Sequence, residues 1–580
     1  MTGRTPAWTL CALLAAMAMA ACGDDTSSPV SSFAANQAAP VASPAAGPAA
    51  DETEQQAFDR LAPADKVLND PNTYTTTRSG TIKLASINED TSVKRHTIAI
   101  NGKTVPYTAR AGHLVAYKTN AQGKTAEAAI FYTSYTRDGL GKENRPVTFL
   151  WNGGPGSASI WLHMGSWGPK RLKSDAPNMA NDTVQPSSFP FEDNAISLLD
   201  ESDIVFVDPP GTGLSTAISP LQNRDLWGTD ADAQVVADFI VSYTNKFNRQ
   251  SSPKYLYGES YGGIRTPIVA NLLEQAGTSG YVPDPTGKPA KVLAGFILNS
   301  PLVDYNSNCD MEDGSVSCEG YIPSYAMAAD YFKKSTQRGT RSQAEYLAEL
   351  RTVARTTFQN TYRTYFTNGR PKSTWNAFAA SSQGQAVLNQ LSSYTGISAS
   401  TWKSNFNYTP GPFRSALVPG YQLGRYDARM KVPNGNSFAA DDYINVAFLN
   451  QLKTYFPDFV NYQSKSAYQP LNNDTIGIWK WARAGLPANT LPQSITDIQA
   501  VLTANPDAKL LILHGYEDIA TPGFQTELDL EGVNLADRVP VKWFEGGHMI
   551  YNTEQSRVPL KQAIDAYYQS SAQAADGSLM

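Results

Sequence analysis

A serine hydroxyl attacks an acyl carbon only when it is held clear of its own backbone beside a base that can take its proton. In the run Lys254-Tyr255-Leu256-Tyr257-Gly258-Glu259-Ser260-Tyr261-Gly262-Gly263, an apolar aromatic stretch meets Gly-Glu-Ser-Tyr-Gly. The pattern Gly-x-Ser-x-Gly places a serine on a sharp strand-to-helix turn, where larger neighbours would clash. The helix that follows presents backbone N–H groups that favour negative charge. Glycine and serine are common in turns, so five residues carry weight only if the chain also supplies a base, an orienting acid and an oxyanion hole.

Histidine is tuned to act as that base near neutral pH, and the chain has five: His96, His113, His163, His514 and His548. His96 and His113 lie in the N-terminal third, far from the serine. His163 sits between Trp161 and Trp167, a setting for packing, and His514 ends an apolar run. His548 stands in Glu545-Gly546-Gly547-His548-Met549, where paired glycines let the backbone turn tightly and present the ring. In an elbow of this kind the acid falls between serine and histidine. Gly515-Tyr516-Glu517-Asp518 follows the run Leu510 to Leu513, which makes Asp518 the first candidate and Glu517 the alternative. One oxyanion donor would be the N–H of Tyr261, directly after the serine. The other would come from a glycine loop after an earlier strand, and Asn152-Gly153-Gly154-Pro155-Gly156 is the evident supplier.

These residues need a scaffold. Pro146 to Trp151, Ile204 to Val207, Tyr255 to Tyr257, Val292 to Leu298, Leu510 to Leu513 and Val541 to Phe544 are unbroken apolar runs. Thr229 to Phe247 carries Val235, Val236, Phe239, Ile240 and Tyr243 at helical spacing. Strands buried on both faces and alternating with helices predict an α/β fold with a mostly parallel central sheet. Ahead of them, Thr81 to Leu84, His96 to Ile100 and Ala128 to Tyr132 read as short strands. Asn101-Gly102 is a hairpin signal, so an N-terminal antiparallel meander is expected. After Asp304 the alternation stops, and patterns such as Ser342 to Thr357 are helical. The expected organisation is a core over 61–305 and 442–580 with an inserted, mainly helical cap over 306–441.

The 580-residue chain is 41% hydrophobic and 11% aromatic with a net charge of −6, and it has no basic block to hold phosphates, so nucleic acid is not an expected partner. Arg4 precedes an apolar run from Leu10 to Ala21 that ends in small residues, as a signal peptide over 1–22 would. Cys11 lies inside that run. Cys22, after Met19-Ala20-Ala21, resembles the lipobox cysteine of bacterial lipoproteins, with Met in place of the usual Leu. Residues 23–60 form an Ala/Pro/Ser-rich tether too poor in large apolar groups to fold. The expectation is an exported protein, periplasmic or on the cell envelope, whose membrane contact is a lipid anchor at Cys22. Ordinary cleavage and secretion is the alternative. In an oxidising compartment Cys309 and Cys318, which flank a short Asp/Gly/Ser-rich loop, form a disulfide.

Five blocks in order resemble the serine carboxypeptidases: Trp151 to Ser159, Phe206 to Ser215, Gly258 to Gly263, Gly515 to Asp518 and Gly547 to Met549. The resemblance implies an α/β-hydrolase fold with a helical cap, and removal of C-terminal residues from peptides without metal or organic cofactor. By carry-over Ser260 is the nucleophile, His548 the base and Asp518 its orienter, with Gly154 and Tyr261 N–H groups forming the oxyanion hole. Asn152 and Glu259 would bind the substrate's terminal carboxylate. Two carboxylates repel unless one is protonated, which implies a preference for acidic pH. The family has a second glutamate where this chain has Ser166, and Ser157 replaces a cysteine often found after the glycine loop. With half of the acid pair missing, an altered pH profile is expected, and Lys170 or Arg171 are candidates to assist. An esterase or acyltransferase on the same triad is the rival enzyme; a binding lipoprotein that kept the fold is the non-enzymatic one.

Overall fold

The computed structural model describes residues 62–120, 123–143, 145–312, 314–367, 369–487 and 490–570. The expected signal peptide, Cys11, Cys22 and the tether lie outside the described residues.

The central sheet holds β1 (Lys94–Ile100), β2 (Lys103–Asn120), β3 (Gly123–Arg137), β4 (Val147–Trp151) and β5 (Asp203–Val207). It continues with β6 (Thr216–Ala217), β7 (Lys254–Glu259), β8 (Gly295–Asn299), β9 (Lys509–Gly515) and β10 (Val541–Phe544). Their order is β10-β9-β8-β7-β4-β5-β3-β2-β1, with β6 paired to β3. The pairs from β10 to β5 are all parallel. From β5 through β3 and β2 to β1 the pairing is antiparallel. The meander therefore extends the parallel sheet at one edge, in an α/β-hydrolase fold.

Consecutive residues of a strand face opposite layers, and both layers here are buried. Phe149, Val205, Leu256 and Leu298 pack with Val235, Phe239 and Ile264 on one face. Leu150, Phe206, Tyr257 and Ile297 pack with Leu560 and Ile564 on the other. This is why the central strands carry no polar alternation. Helices α1 (Thr229–Lys246) and α2 (Gly262–Ala276) supply the first layer, and the helix Glu554–Gln569 contributes to the second.

Asn101 and Gly102 join β1 to β2 with φ of 50° and 73°, the paired positive values of a type I′ turn. The expected strand at Thr81 to Leu84 shrinks to one bridge, Ile82 to Ile218. Only Ile82 turns inward there, bonded to the end of β6; Leu84 is exposed and begins a 3-10 turn, so the pairing goes no further. The run Val292 to Leu298 becomes strand only from Gly295.

Between β8 and β9 the chain is mainly helical. Gln343–Val353 starts at a capping box in which Ser342 and Glu345 satisfy each other's backbone N–H groups. Helices continue past residue 441, at Asn445–Thr454 and Asn473–Ile478. Tyr325, Phe358, Trp402 and Phe413 build a separate apolar cluster that also takes in Ile519 and Phe524, just beyond Asp518. Cys309 and Cys318 are bonded and buried within that cluster. No helix among the described residues is long and apolar enough to cross a membrane.

Candidate active site

Ser260 follows β7 and stands at φ 64°, a left-handed conformation unusual for a residue with a side chain. Such strain amounts to about 1–3 kcal/mol and persists where surrounding structure enforces it. The enforcement is visible: Ser260 N donates to Asn299 O at 3.1 Å, and Ser260 O accepts from Gly263 N at 2.8 Å. A Cβ at Gly258 would stand 2.0 Å from Thr266 Oγ1, so only glycine lets α2 fold back this closely on the strand.

The glycine loop after β4 lies directly against this turn. A Cβ on Gly153 would reach within 2.4 Å of Tyr261 N and 2.8 Å of Ser260 Cβ. The N–H groups of Gly154 and Tyr261 donate to no protein acceptor among the described residues. They are two donors beside one serine, as an oxyanion hole requires.

Asp518 and His548, brought by the ends of β9 and β10, meet through Oδ2 and Nδ1 at 2.9 Å. The other oxygen of Asp518 accepts the N–H groups of Ala520 at 2.8 Å and Thr521 at 3.0 Å. Thr521 Oγ1 lies 2.9 Å from Asp518 Oδ2 and 3.0 Å from His548 Nδ1. The backbone of His548 is tied on both sides. Its N–H donates to Tyr426 O at 2.6 Å, and its carbonyl accepts from Ser300 Oγ at 2.8 Å. The Tyr426 ring stacks on the imidazole with centroids 5.0 Å apart. Burial by itself lowers the His548 pKa, but the Asp518 charge and hydrogen bond outweigh it and the net shift is upward. Asn299 and Ser300 thus link β8 both to Ser260 and to His548. No side-chain hydrogen bond of Ser260 occurs among the described residues; such contacts are often long before substrate arrives.

Glu259 is 3% exposed. Oε1 accepts from Asn152 Nδ2 at 2.7 Å and Tyr551 OH at 3.3 Å, and Oε2 from Asn299 Nδ2 at 3.0 Å. Burial pushes its pKa up to about 7, against the opposing pull of His548, Tyr551 and Asn152. Asn152 is itself anchored, with Oδ1 accepting Leu162 N and its carbonyl accepting Arg265 Nη1.

The profile of the serine carboxypeptidase family matches residues 101–422. The chain belongs to the serine carboxypeptidase family. Among curated relatives, serine carboxypeptidase-like 16 of Arabidopsis thaliana is 27% identical over 186 residues, 32% of this chain and 39% of that protein. The pheromone-processing carboxypeptidase KEX1 of Saccharomyces cerevisiae is 28% identical over 172 residues, 28% of this chain and 22% of that protein. The aligned stretches thus span less than two fifths of these relatives' length. The crystal structure of the prohormone-processing carboxypeptidase Kex1(delta)p superposes with a TM-score of 0.47 at 15% identity, over 80% of this chain and 91% of that one.

The remaining four histidines each pair with a group other than Ser260 or Asp518. Nε2 of His514 pairs with Thr526 Oγ1 at 3.0 Å, and burial pushes its pKa down to about 3. His163 meets Tyr135 OH, His96 meets Phe459 O, and His113 meets Leu214 O. Glu517, the alternative acid, accepts from Gln343 Nε2 and Gly546 N instead of reaching His548. Ser166 Oγ turns back to Leu162 O at 2.6 Å and offers nothing to Glu259. The expected help from Lys170 and Arg171 does not materialise. Lys170 pairs with Asp193, and Arg171 with Glu192 and Glu554, because both fall on a short strand, Lys170–Leu172, lined with those carboxylates. Thr521, Asn299 and Tyr551 are the contacts that sequence reasoning missed. Each is a common residue type placed by a distant element, and the only local cue is their closeness to Asp518, Ser260's neighbouring strand and His548.

Proposed function

We propose that this family member is a serine-type carboxypeptidase that releases C-terminal residues from peptides through an acyl-enzyme. Ser260 Oγ attacks the last peptide carbonyl while His548 Nε2 takes its proton, and Asp518 holds the imidazole in the tautomer that makes this possible. The N–H groups of Gly154 and Tyr261 stabilise the tetrahedral oxyanion. His548 then gives its proton to the departing amine, and water, activated by the same ring, releases the acyl group.

The observation that carries the peptide-end assignment is Glu259. It is a buried carboxyl, adjacent in sequence to the nucleophile and held by Asn152, whose pKa burial pushes up to about 7. In its neutral form it can donate to a substrate carboxylate instead of repelling it. Comparing release from a peptide acid and its C-terminal amide tests this: discrimination of less than about tenfold would remove the carboxylate from the account. An esterase or acyltransferase is the second reading, favoured by Ser166, whose hydroxyl is spent on its own turn. Equal turnover of esters with free and blocked carboxyl ends would support it.

The disulfide accords with an oxidising compartment. Export with acylation of Cys22 is the matching cellular proposal. Membrane fractionation of wild type and Cys22→Ala tests it; identical partition of the two refutes the anchor.

A further inference from the structure

The buried Glu259 carboxyl is not symmetric. Asn152 Nδ2 and Tyr551 OH both donate to Oε1, whereas Oε2 receives only Asn299 Nδ2. An oxygen whose lone pairs already take two donors has no room for an acid proton. We propose that Tyr551 is a specificity-determining positioning residue: with Asn152 it confines the acid proton of neutral Glu259 to Oε2 and so makes Glu259 a hydrogen-bond donor for a peptide's terminal carboxylate. This rests on the carboxypeptidase reading, and it adds the residue that sets the direction of the donor.

Three features hold the phenol in place. Its ring lies against the turn Leu162–Trp167, where a Cβ on Gly165 would come within 3.0 Å of Tyr551 Cε2. Next to it, Ser166 faces back into its own turn, so the ring meets no competing acid from that side. Arg557 locks the two segments together, with Nη1 donating to Gly165 O at 3.0 Å and to Tyr551 O at 2.9 Å. Its Nη2 reaches Asn194 Oδ1 at 2.8 Å, and Asn194 Nδ2 returns to Ser166 O and Gly168 O. Turn, ring and carboxyl are thus joined by contact and hydrogen bonds.

The chemistry suits the role. Burial and the adjacent Glu259 hold the phenol's ionisation well above its ordinary range, so Tyr551 donates at every pH the enzyme meets. A carboxylic acid in that position would itself titrate. The charges of His548 and Asp518 bear on Glu259, and that of Glu259 bears on Tyr257 and Tyr426. None of these four donates a hydrogen bond to Oε1.

The test is Tyr551→Phe, which keeps the ring and removes one oxygen. Two substrates separate positioning from packing: an N-blocked dipeptide with a free carboxylate, and the methyl ester of the same blocked acyl residue, which has no carboxylate to recognise. The expected result is a loss of about 10- to 100-fold in kcat/KM on the peptide acid, carried mainly by KM, with the ester within about twofold of wild type. Gly165→Ala, which presses on the same ring, is expected to weaken the peptide acid selectively and to a smaller degree. Equal losses on both substrates, or no loss on either, would overturn the role of Tyr551. A wild-type enzyme that releases no residue from the peptide would instead sink the parent reading, so the two failures are distinguishable.

Discussion

Gly153→Ala isolates the proposed oxyanion hole. The added methyl would lie 2.4 Å from Tyr261 N, 2.7 Å from Glu259 O and 2.8 Å from Ser260 Cβ, whereas ordinary contacts begin at 3.4 Å. All three neighbours are backbone or Cβ atoms of the strained elbow, locked between β4 and β8, so the glycine loop must retreat by about 1 Å, given how little packed interiors compress. Oxyanion donors act at roughly 2.7–3.1 Å from the developing charge, and losing one typically lowers kcat by about 10²–10³-fold, or about 3–4 kcal/mol. The expected result is a kcat reduced to that extent on an activated ester, with KM little changed. Overpacking would add about 1–3 kcal/mol of destabilisation, visible in thermal unfolding. Steady-state kinetics on the ester, with circular dichroism to establish folding, reads both effects. A folded Gly153→Ala enzyme with kcat within about threefold of wild type would show that the loop does not furnish the donor, since so small a change is under 1 kcal/mol of barrier.

Further predictions address the remaining groups. Asp518→Asn is expected to lower kcat by about 10⁴-fold, because an amide favours the wrong imidazole tautomer, while unfolding temperature stays close to wild type. In the proposed role it is protonated Glu259 that binds the carboxylate, so hydrolysis of peptide acids should decline as pH rises through about 7. As the proposed base His548 must be neutral to take a proton, so activity should also fall as pH drops through its raised pKa. Glu259→Gln cannot ionise; it is expected to abolish the alkaline decline and, by removing a charge that holds the His548 pKa up, to move the acid limb to lower pH. An unchanged profile of kcat/KM against pH would refute that assignment. Removing the Cys309–Cys318 bond, which closes a loop with a sequence separation of 9, should cost about 2–3 kcal/mol and lower the unfolding temperature in calorimetry.

The sheet was legible because its central strands are buried on both faces and announce themselves as apolar runs. Helix α1 was legible because its apolar spacing follows one face. Alternation misled at Thr81 to Leu84, where pairing is limited to a single bridge at the end of the two-residue β6. At the site, the glycines marked the elbow and the loop packed against it, since both demand close backbone approach. Asp518 and Glu517 could not be separated by type, as both are buried at the end of β9; only the turn that aims one at His548 distinguishes them. Tyr551 and Asn299 carry no pattern because their contacts with Glu259 join segments far apart in the chain, and Thr521 offers only its closeness to Asp518. Lys170 and Arg171 looked available because their carboxylate partners lie on separate segments, Glu192 and Asp193 on one and Glu554 on another.

The central proposal, that Ser260 removes residues from a peptide's free C-terminus, is tested most directly by mass spectrometry of a mixed peptide pool incubated with the enzyme and with Ser260→Ala. Serial loss of C-terminal residues by wild type, absent with Ser260→Ala and absent for amidated peptides, is the expected result. Internal cleavage, equal loss from amidated peptides, or C-terminal loss that persists in Ser260→Ala would contradict it.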